Sequence, residues 1–227
     1  MPLRGRLLAS AREWLEAGAP DGVRPRSAAT VLLVRDGADG PEVYLQRRAA
    51  TMAFAPSMVV FPGGAVDPQD TAADPTAPGV AAVAQQMGLP PAEAAPLVAA
   101  AVREAAEECG VVVPVEGMVV RGRWVTPAFE PRRYDTWFLA AAMPPEQEAR
   151  ETSAESDGGG WATAAAVLAR AEAGELRLMP PQVWALESLA GFTSTADYLA
   201  DRPRISLVAP VAERAADGSV VLVTGLP

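Results

Sequence analysis

Arg103-Glu104-Ala105-Ala106-Glu107-Glu108-Cys109-Gly110-Val111 decides how this chain is read. In a helix, Glu104, Glu107 and Glu108 stand at i, i+3 and i+4 and share one face, about one turn apart. Like charges that close repel one another, so the pattern is either a solvated acidic face or a site for a counterion. A hard divalent cation suits it, because such an ion takes oxygen ligands and keeps places for water and phosphate oxygens. Two neighbours favour the ion. Arg103 lies four residues before Glu107, in reach of the acidic face. Gly110 stands where a helix ends in a left-handed residue. Upstream, Phe61-Pro62-Gly63-Gly64 is a tight-turn signal directly after the apolar run Met58-Val59-Val60.

The Gly-Gly turn followed by Arg-Glu-x-x-Glu-Glu-x-Gly-hydrophobic resembles the signature box of the Nudix hydrolases. Its second half matches almost letter for letter, with the small Ala105 at the hydrophobic position. The first half departs from the pattern. Asp70 stands where the family has Glu, and residues 71–102 separate it from Arg103 where the family has a short spacer. A surface loop absorbs an insertion at little cost, since closure entropy grows only logarithmically with length.

An interrupted box resembles one branch of the family, which includes the peroxisomal coenzyme A diphosphatases. The likeness extends to Phe54-Ala55-Pro56-Ser57-Met58-Val59-Val60-Phe61-Pro62-Gly63-Gly64-Ala65-Val66-Asp67 before the box. After it, Arg123-Trp124-Val125-Thr126-Pro127, Arg132-Arg133-Tyr134-Asp135-Thr136-Trp137-Phe138, Trp161 and Leu178-Met179-Pro180-Pro181-Gln182 are similar. The resemblance spans residues 26 to 192.

Periodicity and turn signals outline the remaining elements. Residues 3–17, with Leu7, Leu8, Trp14 and Leu15, read as an amphipathic helix followed by a linker. Residues 28–34 and 42–46 read as strands around the loop 35–41, and residues 58–61 as a third strand. A loop over 71–79 precedes a short helix over 80–87. The main helix covers 91–109, with Pro96 warning that its regular part starts later. Residues 111–113, 118–125 and 136–141 are strand candidates, 162–172 and 181–189 are helices, and 207–211 with 219–223 form a closing hairpin. Strands interleaved with helices point to an α/β fold. That agrees with the Nudix-type α/β/α sandwich with a mixed sheet that the resemblance implies, extended by an N-terminal helix and an insertion within the box. Residues 1–25 are expected to be helix and linker, and 26–227 the Nudix domain, with 71–102 holding the insertion and the start of the box helix.

Composition narrows the chemistry. Histidine, lysine and asparagine are absent, so all 19 basic residues are arginine. With the alanine excess, this suggests a GC-rich bacterial genome. It excludes Ser-His-Asp and Cys-His nucleophiles, a Schiff-base or Walker lysine, and histidine-ligated zinc. Carboxylate, metal and arginine chemistry remain. A net charge of −9 argues against sequence-independent nucleic-acid binding. No apolar run is long enough to cross a membrane, and Arg12, Glu13 and Glu16 break up any signal-peptide core. The single cysteine cannot form an internal disulfide, which fits a cytoplasmic location. Cys109 itself reads as a buried small hydrophobe. The N-terminal helix is a candidate contact for a homodimer.

The resemblance implies a hydrolase that cleaves a nucleoside diphosphate linked to another moiety by water attack at phosphorus. Glu104, Glu107, Glu108 and the Gly63 carbonyl would ligate Mg²⁺ or Mn²⁺, and Arg103 would hold the carboxylates in register. The general base is Glu107 or Glu108, or is supplied from outside the box by Glu151 or Glu155, which otherwise are solvated loop charges in a region that Gly158-Gly159-Gly160 makes look mobile. Asp70 either hydrogen-bonds within the site or only caps its loop. Arg47-Arg48 and Arg132-Arg133 are candidate phosphate clamps, or solvated strand-edge charges. Trp124, Phe129, Tyr134 and Trp137 either stack on a base or belong to the core. The branch suggests coenzyme A or acyl-CoA as substrate. Pro127 resembles a proline that marks ADP-ribose hydrolases, and a Nudix-fold nucleotide sensor without activity is a further alternative.

Overall fold

Strand β1 (Arg26–Gly37) is the spine of the computed structural model, which describes residues 5–52 and 55–225. Leu3 and Phe54, each the first residue of a stretch singled out above, lie outside the described residues. Ala28 to Val34 of β1 are all buried, with Ala29, Val31 and Leu33 in one apolar cluster and Leu32 and Val34 in another. A buried run of this kind, apolar but for Thr30, is what a strand needs when both faces of its sheet are covered.

Its pairing places the glycine turn. β1 runs parallel to β6 (Tyr134–Ala142), from Arg26 opposite Tyr134 to Val34 opposite Ala142. On the other side it bonds β2 (Gly40–Arg48) only from Val34 onward. Over Ala28–Thr30 the partner is instead β4 (Gly63–Ala65). β2 meanwhile pairs through Gln46 and Arg47 with β3 (Val59–Val60), and along its length with β7 (Ser156–Thr163). The turn between β3 and β4 is therefore inserted where β1 and β2 part, with Gly63 opposite Thr30. The Thr30 hydroxyl donates to Pro62 O at 2.7 Å and fixes it there. β5 (Val119–Val125), antiparallel to β6, and β8 (Leu207–Val208), parallel to β5, complete a mixed sheet.

Helices α2 (Val80–Met87) and α3 (Pro91–Cys109) cover one face. The other is covered by α4 (Ala164–Glu172), α5 (Pro180–Ala190) and α6 (Thr195–Ala200). This is the expected three-layer α/β/α sandwich. A third cluster joins α1 (Gly5–Glu16) to the hairpin of β9 (Val211–Arg214) and β10 (Val220–Val223). Leu8, Ala11, Trp14 and Leu15 pack there against Phe129, Ala212, Val220 and Leu222, so most of the apolar face of α1 is covered within the chain, while Leu7 stays exposed.

Several elements differ from expectation for identifiable reasons. α3 is regular from Pro91 through Pro96; burial of Ala94, Ala95, Leu97 and Val98 outweighs the one amide that Pro96 cannot donate. Residues 111–113 alternate buried and exposed as a strand would, yet form none. The Gln147 side chain accepts from Val112 N–H at 2.8 Å and donates to Val112 O at 2.9 Å, standing in for a strand partner. Leu207–Val208 joins the main sheet, and the closing hairpin is formed by 211–214 with 220–223. Gly158-Gly159-Gly160 lies within β7, held by its pairing to β2, and the Tyr44 hydroxyl fills the space over Gly159 where a side chain would go.

Candidate active site

Arg103 is the hub of the site. Its Nε donates to Asp70 Oδ1 at 3.1 Å and its Nη2 to Asp70 Oδ2 at 2.9 Å. Nη1 reaches Glu104 Oε1 at 2.8 Å and Glu107 Oε2 at 3.1 Å, and Nη2 also reaches Ala65 O at 3.1 Å. One guanidinium thus ties the acidic face of α3 to β4 and to the short 3-10 turn Pro68–Ala72. Asp70 makes two kinds of contact. It binds Arg103, and its Oδ2 accepts Asp67 N–H at 2.8 Å, capping that turn. Residues 71–102, through α2 and the first turns of α3, form part of the apolar cluster on this face.

At the C-terminal end of α3, Glu108 is buried. Its Oε2 accepts Gly63 N–H at 2.9 Å and Gln46 Nε2 at 2.6 Å. The glycine turn is pressed directly on the helix. A Cβ on Gly64 would collide with Glu104 Oε1, and one on Gly63 would meet Ala29 O and Thr30; the Gly63 φ of 155° also favours glycine. α3 ends at Gly110 in the left-handed conformation. Thr152 then covers that end, donating its hydroxyl to Glu107 O at 2.7 Å and its N–H to Glu108 O at 3.2 Å.

Burial divides the three glutamates. Loss of hydration pushes Glu108 up to about 7, with the Gly63 and Gln46 hydrogen bonds opposing and Glu104 adding repulsion. Glu104 is also raised, by burial first, against the pull of Arg103. Burial would raise Asp70 too, but the Arg103 hydrogen bonds and charge hold it below its ordinary value. Glu107 is the exposed member. Among the described residues, no three His, Cys, Asp or Glu side chains already converge on one point as a metal cage. Glu104 and Glu107 are turned on to Arg103 instead. The donor set is nevertheless all oxygen, and the second oxygens of Glu104, Glu107 and Glu108 make no hydrogen bond among the described residues. That chemistry fits a hard divalent cation.

The other sequence candidates are spread more widely. Arg48 is half-buried on the same side of β2 as Gln46, close enough to Glu108 to favour its ionised form. Arg47, one residue away, points to the opposite side and is exposed. Glu151 and Glu155 are exposed in the loop that covers the end of α3. Arg132 and Arg133 lie at the start of β6; Arg133 is engaged by Thr126 O at 2.9 Å and Val23 O at 2.7 Å. Trp124, Phe129, Trp137 and Cys109 are core residues. Sequence reasoning passed over Gln46. The signal was a lone amide at the inward parity of β2, two residues from the buried Tyr44.

The fold is similar to that of a NUDIX hydrolase from Alicyclobacillus acidocaldarius, at 28% identity and a TM-score of 0.64, over 80% of this chain and 98% of that one. It is also similar to the NUDIX domain of Shewanella oneidensis NrtR complexed with ADP ribose, at 17% identity and a TM-score of 0.50, over 78% and 94% of the two chains. This second likeness concerns the fold alone. No protein-family model and no curated protein matches the chain. The sandwich, the carboxylate helix seated on a Gly-Gly turn and the first of these likenesses place the chain among the Nudix hydrolases, as an enzyme of that superfamily.

Proposed function

We propose that the chain cleaves the P–O–P bond of a nucleoside diphosphate linked to another moiety, by water attack at phosphorus, and that its substrate is coenzyme A or an acyl-CoA. The observation that carries the hydrolytic reading is the meeting of Glu108, Gly63 N–H and Gln46 at one end of α3, with Arg103 gathering Glu104 and Glu107 beside them. A divalent cation, Mg²⁺ or Mn²⁺, held by Glu104, Glu107, Glu108 and the Gly63 carbonyl would supply charge neutralisation at the diphosphate and a more acidic water. The buried Gln46 Oε1, without a partner among the described residues, is an acceptor placed for a water in such a site.

The chain's own residues set the geometry. Gly63 N–H and Gln46 fix one oxygen of Glu108 and leave the other free to act. Glu108 or Glu107 takes the proton of the attacking water. Arg103 keeps the acidic face from splaying, and Arg48 faces the diphosphate from β2. With coenzyme A, water adds across the linkage to give a phosphopantetheine product and adenosine 3′,5′-bisphosphate. The likeness of residues 54–67 to the coenzyme A branch supports that substrate. ADP-ribose is the second reading, favoured by Pro127 after the box. A non-catalytic sensor is disfavoured by retention of all three box glutamates.

The test is chromatographic product release from coenzyme A, acyl-CoA, ADP-ribose, NADH and nucleoside triphosphates, with and without Mg²⁺ or Mn²⁺. Metal-dependent cleavage of one diphosphate, abolished in Glu107→Gln and Glu108→Gln, is the expected result. Unchanged turnover in both variants would refute the assignment of the box, and tight binding without cleavage would favour the sensor.

A further inference from the structure

Four of the chain's arginines meet away from the box. Arg24, Arg26, Arg132 and Arg133, with Tyr134, line a cleft of about 320 Å³ where the start of β1 passes the loop between β5 and β6. Arg133 is built into its floor. It donates to Thr126 O and Val23 O, while its own carbonyl accepts Arg26 N–H at 2.9 Å. The other three guanidiniums are exposed. Among the described residues Arg24 and Arg132 have no ion pair, and Arg26 has one long contact, 3.8 Å to Asp67. Elsewhere arginines are commonly matched: Arg35 with Glu42, Arg103 with Asp70, Arg121 with Asp201 and Arg123 with Asp135. In a chain of net charge −9, four cations line one concavity, and no carboxylate lines it among the described residues. The flanking Glu130 and Asp135 are paired with Arg6 and Arg123, which gives a local field that selects anions.

The cleft is linked to the box. Asp67 stands between the two, 3.8 Å from Arg26 and 3.9 Å from Arg103. Gly63 pairs with Thr30, and Arg26 lies four residues earlier on β1. At the rise of a strand that separation is about 13 Å, too far for both ends to hold one diphosphate but enough to place a nucleoside between two anionic groups.

We propose that this cleft is a second anion subsite, which takes a phosphomonoester that the substrate carries away from the scissile diphosphate. Planar guanidiniums bind such a dianion in a bidentate manner, and three exposed ones can surround it. The inference rests on the diphosphatase reading above and narrows it. The preferred substrates are nucleoside diphosphate conjugates bearing an additional phosphate on the nucleoside.

The experiment compares kcat/KM for coenzyme A and 3′-dephospho-coenzyme A, and for NADPH and NADH, in the wild type and in Arg24→Glu/Arg132→Glu. Loss of charge-assisted hydrogen bonds of this kind corresponds to at least about tenfold in affinity. The wild type is therefore expected to prefer the phosphorylated member of at least one pair by about tenfold or more, through KM, and the double variant to bring that ratio near one. A wild-type ratio of one in both pairs, or an equal fall on both members in the variant, overturns the subsite while leaving the diphosphatase reading intact. If no diphosphate is hydrolysed, that reading fails and calorimetry decides the subsite alone. Adenosine 3′,5′-bisphosphate must then bind more tightly than adenosine 5′-monophosphate, with the difference lost in the double variant; equal binding overturns it.

Discussion

Arg103 and Asp70 meet in a two-pronged ion pair, at 3.1 and 2.9 Å, although residues 71–102 separate them along the chain. Asp70 is 4% exposed and the Arg103 side chain 15%, so water cannot replace either partner well. Asp70→Asn keeps the shape and removes the charge. Arg103 retains Glu104 and Glu107, which limits the loss, and the expected destabilisation is roughly 2–4 kcal/mol, somewhat below that of an isolated buried pair. Urea unfolding with turnover on the same samples checks this. A change under about 0.5 kcal/mol, the scale of an exposed pair, would mean that Asp70 does not anchor the turn.

Gln46 acts on Glu108 from a strand that lies outside the box in sequence. Gln46→Leu is expected to leave stability nearly unchanged, because it also removes the unpartnered Oε1. Loss of an outer-shell partner typically weakens metal affinity about 10- to 100-fold, which Mn²⁺ titration followed by electron paramagnetic resonance would read directly. Gln46→Glu, which sets a second carboxylate against Glu108, should be worse on both counts. Equal Mn²⁺ affinity in the wild type and Gln46→Leu would remove Gln46 from the site.

The carboxylate helix, the glycine turn and the strands that cross the middle of the sheet were legible because each follows local rules: i,i+3,i+4 spacing, a Gly-Gly turn, buried apolar runs. What escaped depended on contacts distant in sequence. β4, at Gly63–Ala65, exists only because β1 leaves an edge open there. β7 carries three consecutive glycines and is a strand through its pairing with β2, a contact distant in sequence. Residues 111–113 have the right alternation, but their hydrogen-bond partner is a side chain. The site divides in the same way. Arg103 and its glutamates are contiguous in sequence, whereas the positions of Gln46 and Arg48 relative to Glu108 depend on the register of β2.

Gly64 offers a steric test of how closely turn and helix must fit. Alanine at 64 would drive its Cβ into the Glu104 carboxylate, whereas alanine at Gly160 meets nothing within 4 Å. Gly64→Ala should therefore cost about 1–3 kcal/mol and most of the turnover, while Gly160→Ala stays within about 0.5 kcal/mol of wild type. Thermal melts and rates on the two variants check the pair. Full activity in Gly64→Ala would show that Glu104 has room to move and need not sit against the turn.

Glu108 gives the site a pH signature with a defined sign. Burial raises it from an ordinary 4.5 to about 7 in the folded chain. The folded state then holds a proton that the unfolded state has already lost, so this group's contribution is fully present below about 4.5 and declines as pH rises to about 7. One pKa unit corresponds to about 1.4 kcal/mol, and the whole decline is about 3 kcal/mol. Asp70 has the opposite sign. Its depressed value stabilises the fold above the ordinary range of an aspartate, and that contribution is lost only as pH falls further. Metal-free wild type should therefore lose stability between about pH 4.5 and 7, and Glu108→Gln should lose less, keeping only the smaller decline that the raised Glu104 contributes. Activity should move the other way, rising towards pH 7 as Glu108 ionises. Because a cation binds only the ionised form, the rise should shift to lower pH as Mg²⁺ is increased. Equal slopes of stability against pH in the wild type and Glu108→Gln would show that the buried carboxyl titrates in its ordinary range.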